Sequence, residues 1–446
     1  MTCARPDGGI MRTVLWPRRH NQLHQNLIRA AAPGPFAERS SVLKGRSAFQ
    51  HCVLPLLTSS RQFAISDIWR LQWHSALHQL AMNMSSVFSS AYLLKIGLDY
   101  ATVFAVNIAV LGLRFLLRPL MLLIVPHTGM RLALIAGTAL VGLNYAAISI
   151  VDGVNWKLAV FCVISGLGNL VYWTMFHPVF AAAGEHHDRG RQMGTRQSLA
   201  AAATIAGPAV SGVILVVFGP WIAFGSAFIV TLLSAWPLLA IADTPVARRA
   251  PPGAWRAAKR ASLLFFADGF MWTGAGVAWT MVLFERLGGR FELLGSALSA
   301  AAVAAAVASW LTGKHIDLGK GRHAALATAA LAAAVFSMRA LVGHDMALVT
   351  AVVIASTVMT GFYMPSLMTA FYYDAKSAPC VFRFQAAAET AWDAGAITAS
   401  CICIAALAAG IPLQTLIWLA LPAIAFQGFM LARIYNGGLP GKPAIS

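Results

Sequence analysis

Acidic residues are scarce in this chain: 16 Asp and Glu stand among 446 positions, against 33 Lys and Arg. Charged residues of both signs make up 11%, where a soluble domain carries about 25%. So little charge argues against a water-covered globular protein. No Walker phosphate loop and no Gly-x-Ser-x-Gly elbow occurs, so ATP-driven pumping and hydrolase chemistry lack their usual residues. No matched nucleophile and base is found, and the expectation is that the protein is not an enzyme. The cysteines (Cys3, Cys52, Cys162, Cys380, Cys401, Cys403) form no Cys-x-x-Cys pair and read as free thiols. His74 and His78 lie four apart at the start of the first span with no carboxylate or thiol at ligand spacing, and His186 and His187 sit in an inner loop. They read as interfacial histidines, so no metal and no cofactor is expected.

Apolar residues fill the gap, at 58% of the chain. Twelve stretches are long enough to cross a bilayer: 72–94, 101–124, 131–151, 157–181, 198–218, 221–242, 262–284, 294–312, 323–343, 346–371, 385–408 and 411–433. Their length, without period-two alternation, predicts helices, because lipid offers no partner to free backbone groups. With the amino end inside, the inner loops collect Arg131, Arg189, Arg191, Arg196, Arg248, Arg249, Arg256, Lys259, Arg260, Lys314, Lys320, Arg322, Lys376 and Arg383. The outer side holds Lys95, Lys157, Arg286, Arg290 and Arg339. This asymmetry predicts a multi-pass protein of a bacterial inner (plasma) membrane with both termini cytoplasmic. The net charge of +17 then faces anionic membrane lipid, and nucleic acid is not an expected partner.

The spans repeat. Pro178 and Pro365 lie 187 positions apart, as do Arg196 and Arg383. An Ala-rich tract with a threonine follows each arginine: Ala200–Ala203 with Thr204, and Ala386–Ala388 with Thr390. The match implies duplication. The predicted architecture is an all-α membrane protein of twelve transmembrane helices in two pseudo-symmetric six-helix bundles. The bundles fall at 71–243 and 262–435, joined by a Pro- and Arg-rich linker at 244–261. Residues 436–446 form a tail. Residues 1–70 hold ten basic residues against Asp7, Glu38 and Asp67, with no adequate signal-peptide core. A disordered basic extension is expected there.

The six-plus-six plan, the basic central loop and one motif resemble the major facilitator superfamily. The motif is Gly313-Lys314-His315-Ile316-Asp317-Leu318-Gly319-Lys320-Gly321-Arg322, similar to the superfamily's cytoplasmic loop signature at Gly313, Asp317, Gly319 and Arg322. The first-half counterpart, Pro126-His127-Thr128-Gly129-Met130-Arg131, lacks the acid. Gly207-Pro208-Ala209-Val210-Ser211-Gly212 resembles the Gly-Pro-rich pattern of superfamily exporters. A kink with close packing is an equal reading of it.

Ionisable residues inside spans are costly, and each is a functional hypothesis. Arg114 and Arg118 lie one turn apart on the second span, Glu389 and Asp393 one turn apart on the eleventh, and Asp268 on the seventh. Arg118 and Arg114 sit about 12 and 18 Å from Pro126; Glu389 and Asp393 sit about 8 and 14 Å from Phe384. In the resembled fold these two spans face each other across the seam between halves. The expected pairs are therefore Arg118 with Glu389 and Arg114 with Asp393, as gating bridges. Static pairs within each half, or arginines snorkelling to the surface, are the plainer readings. Asp268, Asp393 and Glu389 are the candidates for proton coupling, with an interfacial acid the plainer reading of Asp268.

The resemblance also implies a central cavity lined by spans one, four, seven and ten. These offer Gln79, Asn83, Ser86, Asn169, Tyr172, Trp173, Trp272, Thr273, Trp279, Thr357, Thr360 and Tyr363. Few are charged, which suits a small organic solute; plain packing would use the same residues. The resulting expectation is a monomeric secondary active transporter of a small-molecule substrate, working by alternating access and coupled to protons. The alternative is a membrane accessory or assembly protein that kept the fold and lost transport.

Overall fold

The computed structural model describes residues 65–183, 189–243, 246, 248–317 and 320–436. Most of the basic extension, residues 1–64, and all but the first residue of the tail lie outside the described residues. Among those described, every regular element is helical. Twelve long segments follow one another: α1 (Ile65–Lys95), α2 (Tyr100–Thr128), α3 (Met130–Ile148), α4 (Trp156–Ala183), α5 (Arg189–Val217), α6 (Gly219–Ala240), α7 (Lys259–Arg286), α8 (Phe291–Asp317), α9 (Gly321–Leu341), α10 (Met346–Ser377), α11 (Val381–Ala408) and α12 (Leu413–Asn436). α7 is interrupted by a π-helical stretch at Met271–Gly276.

Ten of these segments are long and apolar enough to cross a membrane by length and composition. α1 falls short because it carries Asp67, Gln72, His74, Ser75, His78 and Asn83, all buried. Those polar groups face protein rather than lipid, which is how a spanning helix tolerates them. α8 keeps an apolar stretch at Phe291–Ala300. Large apolar side chains such as Leu116, Trp221, Trp236 and Leu341 point outward, as a lipid-facing surface requires.

α1 begins at Ile65, ahead of the expected span and inside the segment expected to be unfolded. Asp67, in its first turn, pairs with Arg70 at 2.7 Å and accepts from the Ala242 N–H at 3.3 Å. An acid there also complements the helix dipole. These contacts bring the start of α1 to the end of α6 and extend the helix beyond its apolar part.

The packing repeats between halves. α1 packs on α5 and α6, and α7 packs on α11 and α12. α2 packs on α4 and α8 on α10; α3 packs on α4 and α6, and α9 on α10 and α12. The halves meet along two equivalent seams, α2 against α11 and α5 against α8. They also touch near both ends of the bundle. At the end bearing the linker, His177 Nδ1 of α4 lies 2.9 Å from the Tyr372 hydroxyl of α10. At the opposite end, Tyr100 donates to Glu285, and Phe88 meets Phe291 edge to face.

Candidate functional site

The α2–α11 seam gathers the four expected charges. Arg114 Nη2 donates to Glu389 Oε2 at 3.1 Å and lies 3.0 Å from Asp393 Oδ1. Arg118 Nη2 donates to Asp393 Oδ2 at 2.5 Å, and its Nη1 donates to Thr174 Oγ1 of α4 at 3.3 Å. Gln385 Nε2 donates to Glu389 Oε1 at 3.0 Å. All four charged side chains are at least nine-tenths buried. An ion buried alone costs several kcal/mol. Two cations against two anions, with two neutral groups filling further hydrogen-bond positions, offset that cost.

The partners differ from the expected ones. Arg114 meets Asp393 as expected, but Arg118 does not pair with Glu389; Asp393 sits between both arginines, and Arg114 takes Glu389. Depths counted from Pro126 and Phe384 assume that both mark one level. On the same count Asp393, at about 14 Å, lies between Arg118 at about 12 Å and Arg114 at about 18 Å, so one carboxylate can serve both arginines, and only the reach of the long Arg114 side chain brings it to Glu389.

Asp268 of α7 is buried beside this cluster. Trp392 Nε1 of α11 donates to its Oδ2 at 2.8 Å, and the Tyr363 hydroxyl of α10 donates to its Oδ1. The same hydroxyl lies 3.0 Å from Gln427 Oε1, while Gln427 Nε2 donates to the Leu264 carbonyl at 3.1 Å. One hydroxyl proton cannot serve two acceptors. Both are served when Asp268 itself carries a proton and donates to Tyr363. Trp392 also lies under Arg114, whose guanidinium is 5.6 Å from the ring centre. One indole therefore touches both the seam cluster and Asp268. Its place is fixed by backbone contact. A Cβ on Gly269 would come within 2.1 Å of the Trp392 carbonyl, and one on Gly395 within 2.0 Å of the Phe266 carbonyl. Only glycine lets α7 and α11 cross this closely beside both acids.

The cavity candidates separate into groups. Asn83 donates to the Gln79 carbonyl at 2.8 Å and to Thr204 Oγ1 at 3.5 Å. Asn169 accepts from Trp173 Nε1 at 3.2 Å. Tyr172 stacks on His78 at 3.8 Å, and its hydroxyl lies 3.2 Å from His74 Nε2. Trp272 meets Tyr363 edge to face, and Thr360 donates to the Ser356 carbonyl at 3.1 Å. Of the loop signature, Gly319 lies outside the described residues. Gly313 and Asp317 fall in the last turns of α8, where the backbone alone is described, and Arg322 is exposed.

Three residues escaped the sequence reading. Trp392 is not among the residues that the sequence singles out. Asp243 supplies an acid to the first-half loop that lacks one: its Oδ1 accepts from the Arg131 N–H at the start of α3, at 3.0 Å. Gly129 makes room for that carboxylate, since a Cβ there would lie 1.9 Å from Asp243 Oδ2. Arg339 is the third. It was assigned to the outer surface, yet it is 4% exposed and enclosed by protein. Its guanidinium lies 4.5 Å from the Phe336 ring centre and 5.3 Å from that of Trp279, and Nε donates to Ser356 Oγ at 2.8 Å. No carboxylate pairs with it among the described residues, and its buried Nη1 has no hydrogen-bond partner. Cation–π contact supplies about 0.5–2 kcal/mol, less than the several kcal/mol that burial of an unpaired ion costs. Its position inside the ninth span was the available signal, overridden by counting it with the outer loops.

Comparison with known proteins follows the same lines. The sequence profile of the Major Facilitator Superfamily matches residues 75–400. No curated protein sequence matches the chain. Among solved structures, the human organic anion transporter MFSD10 (TETRAN) superposes with a TM-score of 0.58 at 13% identity, covering 82% of this chain and 99% of that one. FucP, a Major Facilitator Superfamily transporter captured in the outward conformation, gives 0.58 at 15% identity, covering 84% of this chain and 99% of that one. At such identities the likeness is one of fold.

Proposed function

The chain belongs to the Major Facilitator Superfamily of membrane transporters, and on that premise we propose that it is a proton-coupled secondary carrier of a small solute, working by alternating access. The observation that carries the proposal is Trp392, held against Asp268 on one side and Arg114 on the other. α7 and α11 belong to one half and move together through their glycine contacts; Arg114 and Arg118 belong to the other. Rocking apart along the α2–α11 seam takes both arginines from Glu389 and Asp393 and removes a cation from beside Trp392. Each carboxylate then exchanges a bound cation for a bound proton or for water. Asp268 is the proton site on this reading, and the four-charge cluster is the gate. The end bearing the linker is the cytoplasmic one, by its excess of Arg and Lys.

Proteoliposomes loaded with a pH-sensitive dye test the proposal. A solute screen is expected to find substrates whose entry moves protons, and Asp268→Asn is expected to abolish that movement while binding persists. Solute flux indifferent to a pH gradient, in the wild type, would remove the coupling.

A further inference from the structure

Arg339, a buried cation of the second half, differs from the two arginines of the α2–α11 cluster, each of which faces a carboxylate. We propose that Arg339 anchors a small organic carboxylate, which makes the transported solute an organic anion; this rests on reading the chain as a carrier. Three features support it. The guanidinium is unpaired by any acid among the described residues, and its buried Nη1 lacks an acceptor. It is held in place, with Trp279 and Phe336 against its faces and Ser356 Oγ accepting from Nε at 2.8 Å. A fixed guanidinium with an unused Nη1 offers a carboxylate oxygen a charge-assisted hydrogen bond that a neutral solute does not match.

Its location fits a solute path. α9 packs on α10 and α12 and carries Arg339 inward to Trp279 of α7 and Ser356 of α10. Those two helices face the first half: α7 packs on α1, and α10 reaches α4 through Tyr372 and His177. Asp268 and Tyr363 lie on the same two helices. A carboxylate at Arg339 thus sits between the helices that carry the proton site. One anion and one proton would travel as a neutral pair, which lowers the cost of crossing a low-dielectric interior.

The test is binding, read without a proton gradient. Purified full-length protein in detergent is unfolded thermally with benzoate, hexanoate or lactate, each beside its neutral amide, and with chloride and inorganic phosphate. At least one carboxylate is expected to raise the melting temperature by several degrees, as binding to the native state must. Its amide and the inorganic ions are expected to do less. Arg339→Gln is expected to weaken that carboxylate at least tenfold. Arg339→Lys keeps the charge without the guanidinium, and is expected to fold and bind at least about threefold more weakly. The proposal falls if no carboxylate surpasses its amide, if chloride or phosphate protects equally, or if either variant binds as tightly as the wild type. Carboxylate binding without proton-linked flux would sink the coupling and spare Arg339; proton-linked flux of neutral solutes alone would do the reverse.

Discussion

The two seams between the halves occupy equivalent places in the repeat and are closed by opposite chemistry. α2 meets α11 through four buried charges on long side chains. α5 meets α8 through bare backbone: a Cβ on Gly295 would lie 2.2 Å from the Pro208 carbonyl, and one on Gly212 would lie 2.8 Å from the Phe291 carbonyl. α5 carries no charged residue after Arg196, and α8 none between Glu292 and Lys314. The packing repeats between the halves while the chemistry of the two seams differs. An ionic seam has two distinct states, because separated ions can be satisfied by water or protons. A backbone seam has only close packing, which is lost gradually and responds to no proton. In the carrier proposed above, the switch would lie at the ionic seam and the pivot at the backbone seam.

The largest expected effect comes from emptying the middle of the ionic seam. Asp393→Ala leaves two buried arginines facing Glu389 alone, and should cost about 3–5 kcal/mol in unfolding free energy. The loss should show as a lowered denaturant midpoint of the purified protein. Arg114→Ala made on the Asp393→Ala background should cost far less than it does alone, since the two groups share one interaction. Independent, additive losses would mean that the cluster is four separate charges, and the contrast between seams would vanish.

The backbone seam should respond to volume instead. Gly295→Ala puts a methyl group against the Pro208 carbonyl, so the helices must part. Overpacking of this kind costs about 1–3 kcal/mol. Loss of stability and loss of transport should rise together from Gly295→Ala to Gly295→Val. The defect should be independent of pH, since nothing in this contact titrates. A pH-dependent defect at Gly295 would show that this seam gates as well.

This contrast was half legible in the sequence. Charge inside an apolar span cannot hide, so Arg114, Arg118, Glu389 and Asp393 stood out, and the twelve-helix plan followed from hydropathy and the proline–arginine repeat. Their exact partners did not follow, because loop ends fix depth only to about a turn. The glycine seam was read no further than a kink or an exporter-like pattern at 207–212. Gly295 carries no signal by itself, because close approach is a property of two helices together. Trp392 was invisible for a similar reason: its Nε1–H finds Asp268 124 positions away. Asp243 was hidden by distance too, standing in space where the first-half motif lacks its acid.

The smallest effect is expected where Arg118 holds on to its own half. Thr174 lies on α4, in the same half as Arg118, and accepts from Nη1 at 3.3 Å. Thr174→Val removes one hydrogen bond to a buried charge and should cost about 1.5–3 kcal/mol at most, toward the lower end for so long a contact. That bond does not cross the seam, so it survives when Asp393 moves away. A contact present in both states stabilises both equally and shifts no equilibrium between them. Transport by Thr174→Val should therefore stay within about twofold of the wild type once the amount of folded protein is matched, although its melting temperature drops. A tenfold change in rate would mean that Arg118 leaves Thr174 during the cycle. The moving boundary would then run between α2 and α4 rather than between α2 and α11.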